Sequence, residues 1–314
     1  INNIMDTTSD EELDAEYPVP SPLRISTLTG TCSINSEINL VVLSQYLELN
    51  KYITYINYGD LVSKGVNITP RSEKKKKVKR VFYNQITIII KHDNSNNRYN
   101  NIKLFANGAV SMTGLQSLEE GEKSMKIILD SIKNLRGKIL YTISENYYTN
   151  NIKGDNDEDV KLKCSSCNKE FTYYIMKMSS NCEHYICNSC SKTHNSCQAH
   201  GCNKSYITPA LQNEDAHIKK MNIVLINSDY KANFRINQKK LHPLIVNKYK
   251  IFSTFEPTIY PGVKSMYYWN TDYKNYPIKG KCYCTLSCNG KGTGTGNGQC
   301  KKVTTAVFQS GSVL

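Results

Sequence analysis

The sequence predicts an α+β fold built from a duplicated unit, with a small cysteine-rich module set between the two copies, and three observations support this. Short β-rich runs alternate with helical stretches in an order that occurs twice. The segment Leu104-Phe105-Ala106-Asn107-Gly108-Ala109-Val110 returns as Val307-Phe308-Gln309-Ser310-Gly311-Ser312-Val313, sharing an F-x-x-G-x-V core. Leu23 lies 82 positions before Phe105 and Val224 lies 84 before Phe308, and such near-equal spacing indicates a repeated structural unit. The cysteines are grouped as well. Of twelve, Cys32 stands apart, seven lie between Cys164 and Cys202, and four between Cys282 and Cys300.

Residues 1–21 carry Asp6, Asp10, Glu11, Glu12, Asp14 and Glu16 with no Lys or Arg, closing on a run of prolines, and read as an acidic disordered tail. The first copy, residues 22–140, is expected to place strands at Ile25–Ile34, Phe82–Lys91 and Ile102–Thr113, with a helix at Glu37–Leu49. A capping box of Ser117 and Glu120 opens a second helix whose apolar face is Met125, Ile128, Leu129, Ile132 and Leu135. Residues 141–220 read as linkers around a cysteine-rich insert at 164–202, with Asn150–Asp159 leading in and Gln212–Lys220 leading out. The second copy, residues 221–314, repeats the order with a strand at Asn222–Ile226, a helix at Gln238–Val246, and strands at Lys264–Trp269 and Val303–Leu314. A Cys/Gly-rich insertion, residues 277–301, interrupts it, and Leu314 falls before a counterpart of the first copy's second helix, so this copy reads as C-terminally incomplete.

The formal charge is +13, and because residues 1–20 hold six acids and no base, the remainder carries +19. Such a balance suits a polyanion, since Lys and Arg displace counterions condensed on nucleic acid. A basic run at Lys74, Lys75, Lys76, Lys77, Lys79 and Arg80 is expected to be a solvated loop or a localisation signal, and a loop there could contact phosphates. No apolar run approaches the ~18 residues of a membrane span, and no leader is legible at the start. We therefore expect a protein without membrane association.

Paired C-x-x-C spacings read as metal ligands in a reducing, intracellular compartment. The insert runs Cys164-x2-Cys167-x14-Cys182-x-His184-x2-Cys187-x2-Cys190-x6-Cys197-x4-Cys202, enough thiolate and imidazole ligands for two tetrahedral zinc ions. Zinc would supply folding free energy that so short a segment lacks. His200, two residues after Cys197's immediate neighbour, competes with Cys202 as the eighth ligand. Cys282, Cys284, Cys288 and Cys300 form C-x-C-x3-C-x11-C and are expected to hold a third zinc ion. The intervening Gly290–Gly298 segment lacks the G-x-x-x-x-G-K-[ST] order of a phosphate loop and reads as a flexible loop closed by the metal.

Phe252-Ser253-Thr254-Phe255-Glu256-Pro257-Thr258-Ile259-Tyr260-Pro261-Gly262 resembles the F-S-S-Y-E-P-E-L-F-P-G motif of the TATA-box-binding protein family. Ser228-Asp229-Tyr230-Lys231 and Phe234-Arg235-Ile236 resemble that family's C-D-V-K and I-R-L. Phe105 to Gly114, followed by Ser117, Glu119 and Glu120, resembles I-F-S-S-G-K-M-V-C-T-G-A-K-S-E-E. The resemblance covers roughly residues 22–135 and 221–314 and is similar to the versions in large DNA viruses. It implies a saddle, a curved antiparallel sheet with helices on its convex face, that enters the minor groove of AT-rich promoter DNA and bends it. It also implies a transcription-initiation factor without catalysis, partnered by transcription factors or RNA polymerase, in the nucleus or a cytoplasmic viral replication site. By resemblance Phe82, Phe105, Tyr260 and Phe308 are the aromatic wedges, and Thr27 and Asn222 stand near the positions that read base edges.

The insert in turn resembles a RING finger, whose cross-brace would join Cys164, Cys167, Cys187 and Cys190 in one site and Cys182, His184, Cys197 and Cys202 in the other. The alternative function is then a RING-type ubiquitin ligase or a zinc-dependent interaction adaptor. Ser165, Ser166, Thr193, His194 and Asn195 stand where a ligase offers apolar and aromatic docking residues, which favours a structural or partner-binding module.

Overall fold

The computed structural model describes residues 18–66, 82–92, 98–153, 160–179 and 181–314. The acidic residues 6–16, the basic run 74–80 and residues 154–159 of the inbound linker lie outside these. The chain divides into two compact units, one of residues 27–226 and the other of residues 227–314 with the N-terminal residues up to Ser26. Among the described residues no helix is long and apolar enough to cross a membrane.

In the first unit the elements run β1 (Arg24–Ser33), α1 (Leu40–Tyr46), β2 (Ile53–Tyr58), β3 (Val62–Gly65), β4 (Gln85–Lys91), β5 (Tyr99–Phe105), β6 (Ala109–Leu115) and α2 (Leu118–Ile132). The strands form an antiparallel array in the order β1-β6-β5-β4-β2-β3. Strand alternation explains the core: Ile86, Ile88 and Ile90 share one face of β4, and all three are fully buried with Ile102, Leu104 and Met112 from β5 and β6. Onto that face α2 lays Met125, Ile128 and Ile132, with Leu129 and Leu135 at its margin. The capping box forms as the sequence suggests, with one difference. Ser117 Oγ accepts from Glu120 N at 3.2 Å, whereas the Glu120 carboxylate reaches back to the N–H of Gln116.

The β2–β3 hairpin was not legible in the sequence, and the expected single strand at 102–113 is two strands joined by a tight turn. The glycine of F-x-x-G makes that turn. Gly108 and Gly311 adopt φ +82° and +85°, and a Cβ on either would strike a backbone carbonyl oxygen, of Ile34 or Ser36 in the first case and Phe234 in the second. The repeated motif is thus a repeated steric requirement.

The cysteine-rich segment contains β7 (Arg136–Lys138), β8 (Leu140–Thr142), α3 (Glu145–Asn151), β9 (Leu162–Lys163), β10 (Glu170–Phe171), β11 (Met176–Ser179), β12 (Cys182–Cys187), α4 (Asn188–Thr193) and β13 (Ile207–Pro209). It has its own core of Ile143, Tyr148, Leu162, Met176, Ile186 and Tyr206 around buried thiols. The outbound segment is more than a linker. Leu211, Ala216 and Met221 join the core of the first copy, and backbone hydrogen bonds tie Gln212 to Glu37, Asn39 to Ala210 and Lys219 to Ser33.

In the second copy β14 (Asn222–Lys231), α5 (Gln238–Pro243), β15 (Phe252–Thr254), β16 (Val263–Trp269), β17 (Lys301–Val307) and β18 (Ser312–Val313) follow in turn, and the strands pair antiparallel in the order β15-β16-β17-β18-β14. Pro243 ends α5, and the chain continues as a π-helical turn, Leu244–Lys248. The internal repeat extends to helix caps. Ser33 pairs with Ala109 and Lys231 with Ser312, each partner following its motif glycine; six residues on, Asn39 and Asn237 cap α1 and α5 with near-identical backbone angles. Where α2 covers the first copy's sheet, the equivalent face of the second is an open apolar groove of about 420 Å³ lined by Ile251, Ser265, Tyr267, Trp269, Val303 and Thr305.

Candidate nucleic-acid interface and metal centres

Val263 pairs with Val307 at one end of the β16–β17 ladder, which sets the Tyr260 and Phe308 rings just beyond it. They meet edge to face, centroids 5.8 Å apart and planes at 62°. Tyr260 is 39 % exposed and Phe308 half-buried, so the pair has one face supported and one open. In the first copy Gln85 pairs with Phe105 and Ile86 with Leu104, so Ile86 matches Val263. Phe105 is half-buried and Phe82 is 64 % exposed.

Counting back from these pairs, Tyr83 is the counterpart of Tyr260, and Phe82 that of the exposed Ile259. Tyr83 escaped the sequence reading because the insertion before it blurs alignment; only the ladder reveals its position. It is held firmly. Its hydroxyl donates to Asp60 Oδ1 at 2.8 Å, its carbonyl accepts from the Tyr58 hydroxyl, and the Tyr58 ring meets it edge to face. The bond to Asp60, more than burial, pushes the Tyr83 phenol upward.

Thr27 lies six residues before Ser33 and Asn222 nine before Lys231, so the two are not at matching positions of the copies. Thr27 is half-buried and Asn222 exposed.

The structure brings the cysteine ligands together in three groups. Cys164, Cys167, Cys187 and Cys190 form one, Cys182, His184, Cys197 and Cys202 the second, and Cys282, Cys284, Cys288 and Cys300 the third; within each, all ligand atoms lie within 4.8 Å of one another. Sulfurs at the corners of a tetrahedron around zinc would stand about 3.8 Å apart, given Zn–S bonds of ~2.3 Å. The 3.4 Å from Cys284 to Cys300, 3.7 Å from Cys300 to Cys282 and 3.5 Å from Cys197 Sγ to His184 Nδ1 fit that size. The second group contains Cys202 and not His200. No cysteine is in a disulfide.

Local structure prepares these thiols. The α4 N-terminus follows Cys187, whose own N–H donates to Cys164 Sγ at 3.3 Å. Burial raises the Cys164 thiol, but donors from Cys167, Cys187 and Ser166 outweigh it and hold it down at about 7. Cys284 is opposed by burial in the same way and is brought to about 6 by the Tyr273 hydroxyl, neighbouring thiols and the Gly298 N–H. Burial pushes Cys182 up to about 11 and, with adjacent thiols, Cys300 up to about 12. Each group thus pairs a thiol held down with one pushed up, Cys164 with Cys190, Cys197 with Cys182 and Cys284 with Cys300, and a bound ion would deprotonate the raised ones. Cys32, a member of none of the three groups, is raised to about 11 by burial alone.

The supporting residues of the third group were not legible beforehand. Asn270 donates to Gly296 O at 2.7 Å and to Cys300 Sγ at 3.5 Å, and Tyr273 Oη donates to Cys284 Sγ at 3.5 Å. The Gly-rich loop expected to be flexible is thereby tied down, and Thr271 N also donates to Gly294 O at 2.8 Å.

The chain is similar to a protein of Acanthamoeba polyphaga mimivirus named TATA-box-binding protein-like, with 31% identity over 118 residues. The match takes in 36% of this chain and 32% of the relative, so the chain spans about a third of that curated protein's length. Among solved structures, Methanococcus jannaschii TBP aligns with 93% of this chain and 86% of its own, at a TM-score of 0.36 and 14% identity. No protein-family model matches.

Proposed function

We propose that this chain is a non-catalytic DNA-binding factor of transcription initiation, which engages the minor groove of AT-rich duplex DNA and bends it with aromatic wedges. The observation that carries the reading is the aromatic set at matching ladder positions of two copies, Phe105 with Tyr83 in the first and Phe308 with Tyr260 in the second, with the exposed Phe82 beside Tyr83. Half-exposed rings at strand ends can unstack base steps, whereas strand centres cannot reach between them. The similarity to a TATA-box-binding protein-like protein supports the same reading. Thr27 and Asn222 would contact the groove floor, where only A·T and G·C pairs are distinguished. Partners are then promoter DNA and the transcription machinery, at the nucleus or a viral replication site.

The three cysteine groups we infer to be zinc sites: all offer thiolate or imidazole at tetrahedral spacing, and none offers the oxygen ligands that Mg²⁺ or Ca²⁺ requires. In the insert zinc would close a small independent core of the RING-like kind, serving as a partner-binding module set between the copies. Ligase activity is the reading set aside, because Ser165 and Ser166 fill the first metal loop where an apolar docking residue belongs. Fluorescence measurement of bending and affinity on an AT-rich duplex tests the proposal. Binding without bending, equal on AT- and GC-rich duplexes, would count against it.

A further inference from the structure

The loop that joins β16 to β17 carries a charge problem that the minor-groove reading does not use. Between Asn270 and Lys302 the sequence holds six lysines, Lys274, Lys279, Lys281, Lys291, Lys301 and Lys302, against one acid, Asp272. All six are exposed, and among the described residues none is in an ion pair. Lys291 and Lys301 stand directly opposite each other in an isolated antiparallel bridge, with Lys302 N donating to Gly290 O beside them. Like charges opposed across a ladder destabilise it. An ion held by four thiolates would bring a net charge of about 2−, which leaves the loop positive.

The lysines stand on a rigid base. The four-cysteine group, the Asn270 bonds and the mutually packed, tilted rings of Tyr273, Tyr276 and Tyr283 fix the loop, and Lys281 Nζ sits over the Tyr283 ring at 5.8 Å from its centroid. With the loop backbone already ordered, an arriving anion meets a smaller backbone entropy cost than it would on a solvated tail. Position along the hairpin matters too. The ladder runs from Val263 opposite Val307 to Trp269 opposite Lys301, so roughly 20 Å of strand separates the Tyr260–Phe308 pair from the lysines. That is the reach of about six base pairs at ~3.4 Å per step along one strand.

We propose that this cysteine-closed loop is a second nucleic-acid contact, a metal-ordered clamp on the phosphate backbone of duplex DNA beside the steps engaged by Tyr260 and Phe308. The inference rests on the DNA-binding reading above and extends its footprint. Phosphates would relieve the Lys291–Lys301 repulsion, and the metal keeps the cations in register with the wedge end of the same hairpin.

The test is the salt dependence of affinity for an AT-rich duplex, read by fluorescence anisotropy with the full chain loaded with zinc. The triple change Lys281→Gln, Lys291→Gln and Lys301→Gln should lower the slope of log affinity against log salt by about 2 to 3, since each phosphate contact contributes ~0.9. Metal content and bending at saturation should stay as in the parent. Changing Lys123 and Lys126 of α2 and Lys133 at its C-cap to Gln should leave the slope alone. Cys288→Ser should lose the loop's metal and reproduce the slope loss without touching a lysine. An unchanged slope in the lysine triple, with the parent binding normally, overturns the clamp and leaves the DNA-binding reading standing. A parent chain that fails to bind the duplex overturns both.

Discussion

Tyr260 and Phe308 lie edge to face across the end of a single hairpin, 5.8 Å between centroids, although 48 residues separate them in the chain. Each ring is the other's support. Phe308→Ala should therefore reduce both the bend angle and the affinity, the latter by about fivefold to 150-fold if stacking on a base step is worth ~1–3 kcal/mol. Tyr260→Phe should be nearly silent. Loss of affinity with an unaltered bend, measured by energy transfer between duplex ends, would assign the rings to the core.

The first-copy wedge can be decided between Phe82 and Tyr83. The ladder matches Tyr83 to Tyr260, so Tyr83→Ala should diminish bending more than Phe82→Ala does. Because Tyr83 also holds Asp60, Tyr83→Phe serves as the control that keeps the ring and drops only that bond. Equal bending by all three variants would remove both residues from the interface.

Metal analysis of the purified chain should return three zinc ions, two of them in the insert. Cys187→Ser removes a ligand in the group with Cys164, Cys167 and Cys190. It should cost one or both insert ions and open amides around Ile186 and Tyr206 to hydrogen exchange. Amides of β4 and β5 should stay protected, since their core is separate. Exchange spreading into β4 would show the two cores to be one cooperative unit.

The outbound segment should behave as core. Leu211→Ala and Met221→Ala each remove a buried side chain from the cluster that holds Ile88 and Leu104, and each should destabilise the first copy by ~2–4 kcal/mol in urea unfolding. Values near zero would return residues 211–221 to the role of a linker.

Alkaline pH should weaken the first copy through Cys32. Its thiol is raised by burial from 9.0 to about 11, so the neutral thiol contributes stability that is complete below pH 9 and lost as pH rises through about 11. Partial exposure limits the effect to the order of 1 kcal/mol. Cys32→Ala should flatten that part of the stability profile between pH 9 and 11, and an unchanged profile would place the alkaline loss elsewhere.

By itself the sequence determined what depends on local pattern and on chemical type. A β-rich run at Phe82–Lys91 marked β4, Ser117 and Glu120 marked the start of α2, and the clustering of the cysteines marked the three stretches that supply the ligand groups. The doubled F-x-x-G was legible because Gly108 and Gly311 meet a steric limit that only glycine passes. Tertiary structure decided what depends on register and on contacts between distant segments. That Tyr83 answers to Tyr260, that residues 211–221 return to the first core, and that Lys291 opposes Lys301 all follow from which backbone carbonyl pairs with which N–H. A one-residue slip would undo each of them, and no local preference of the residues concerned specifies that pairing.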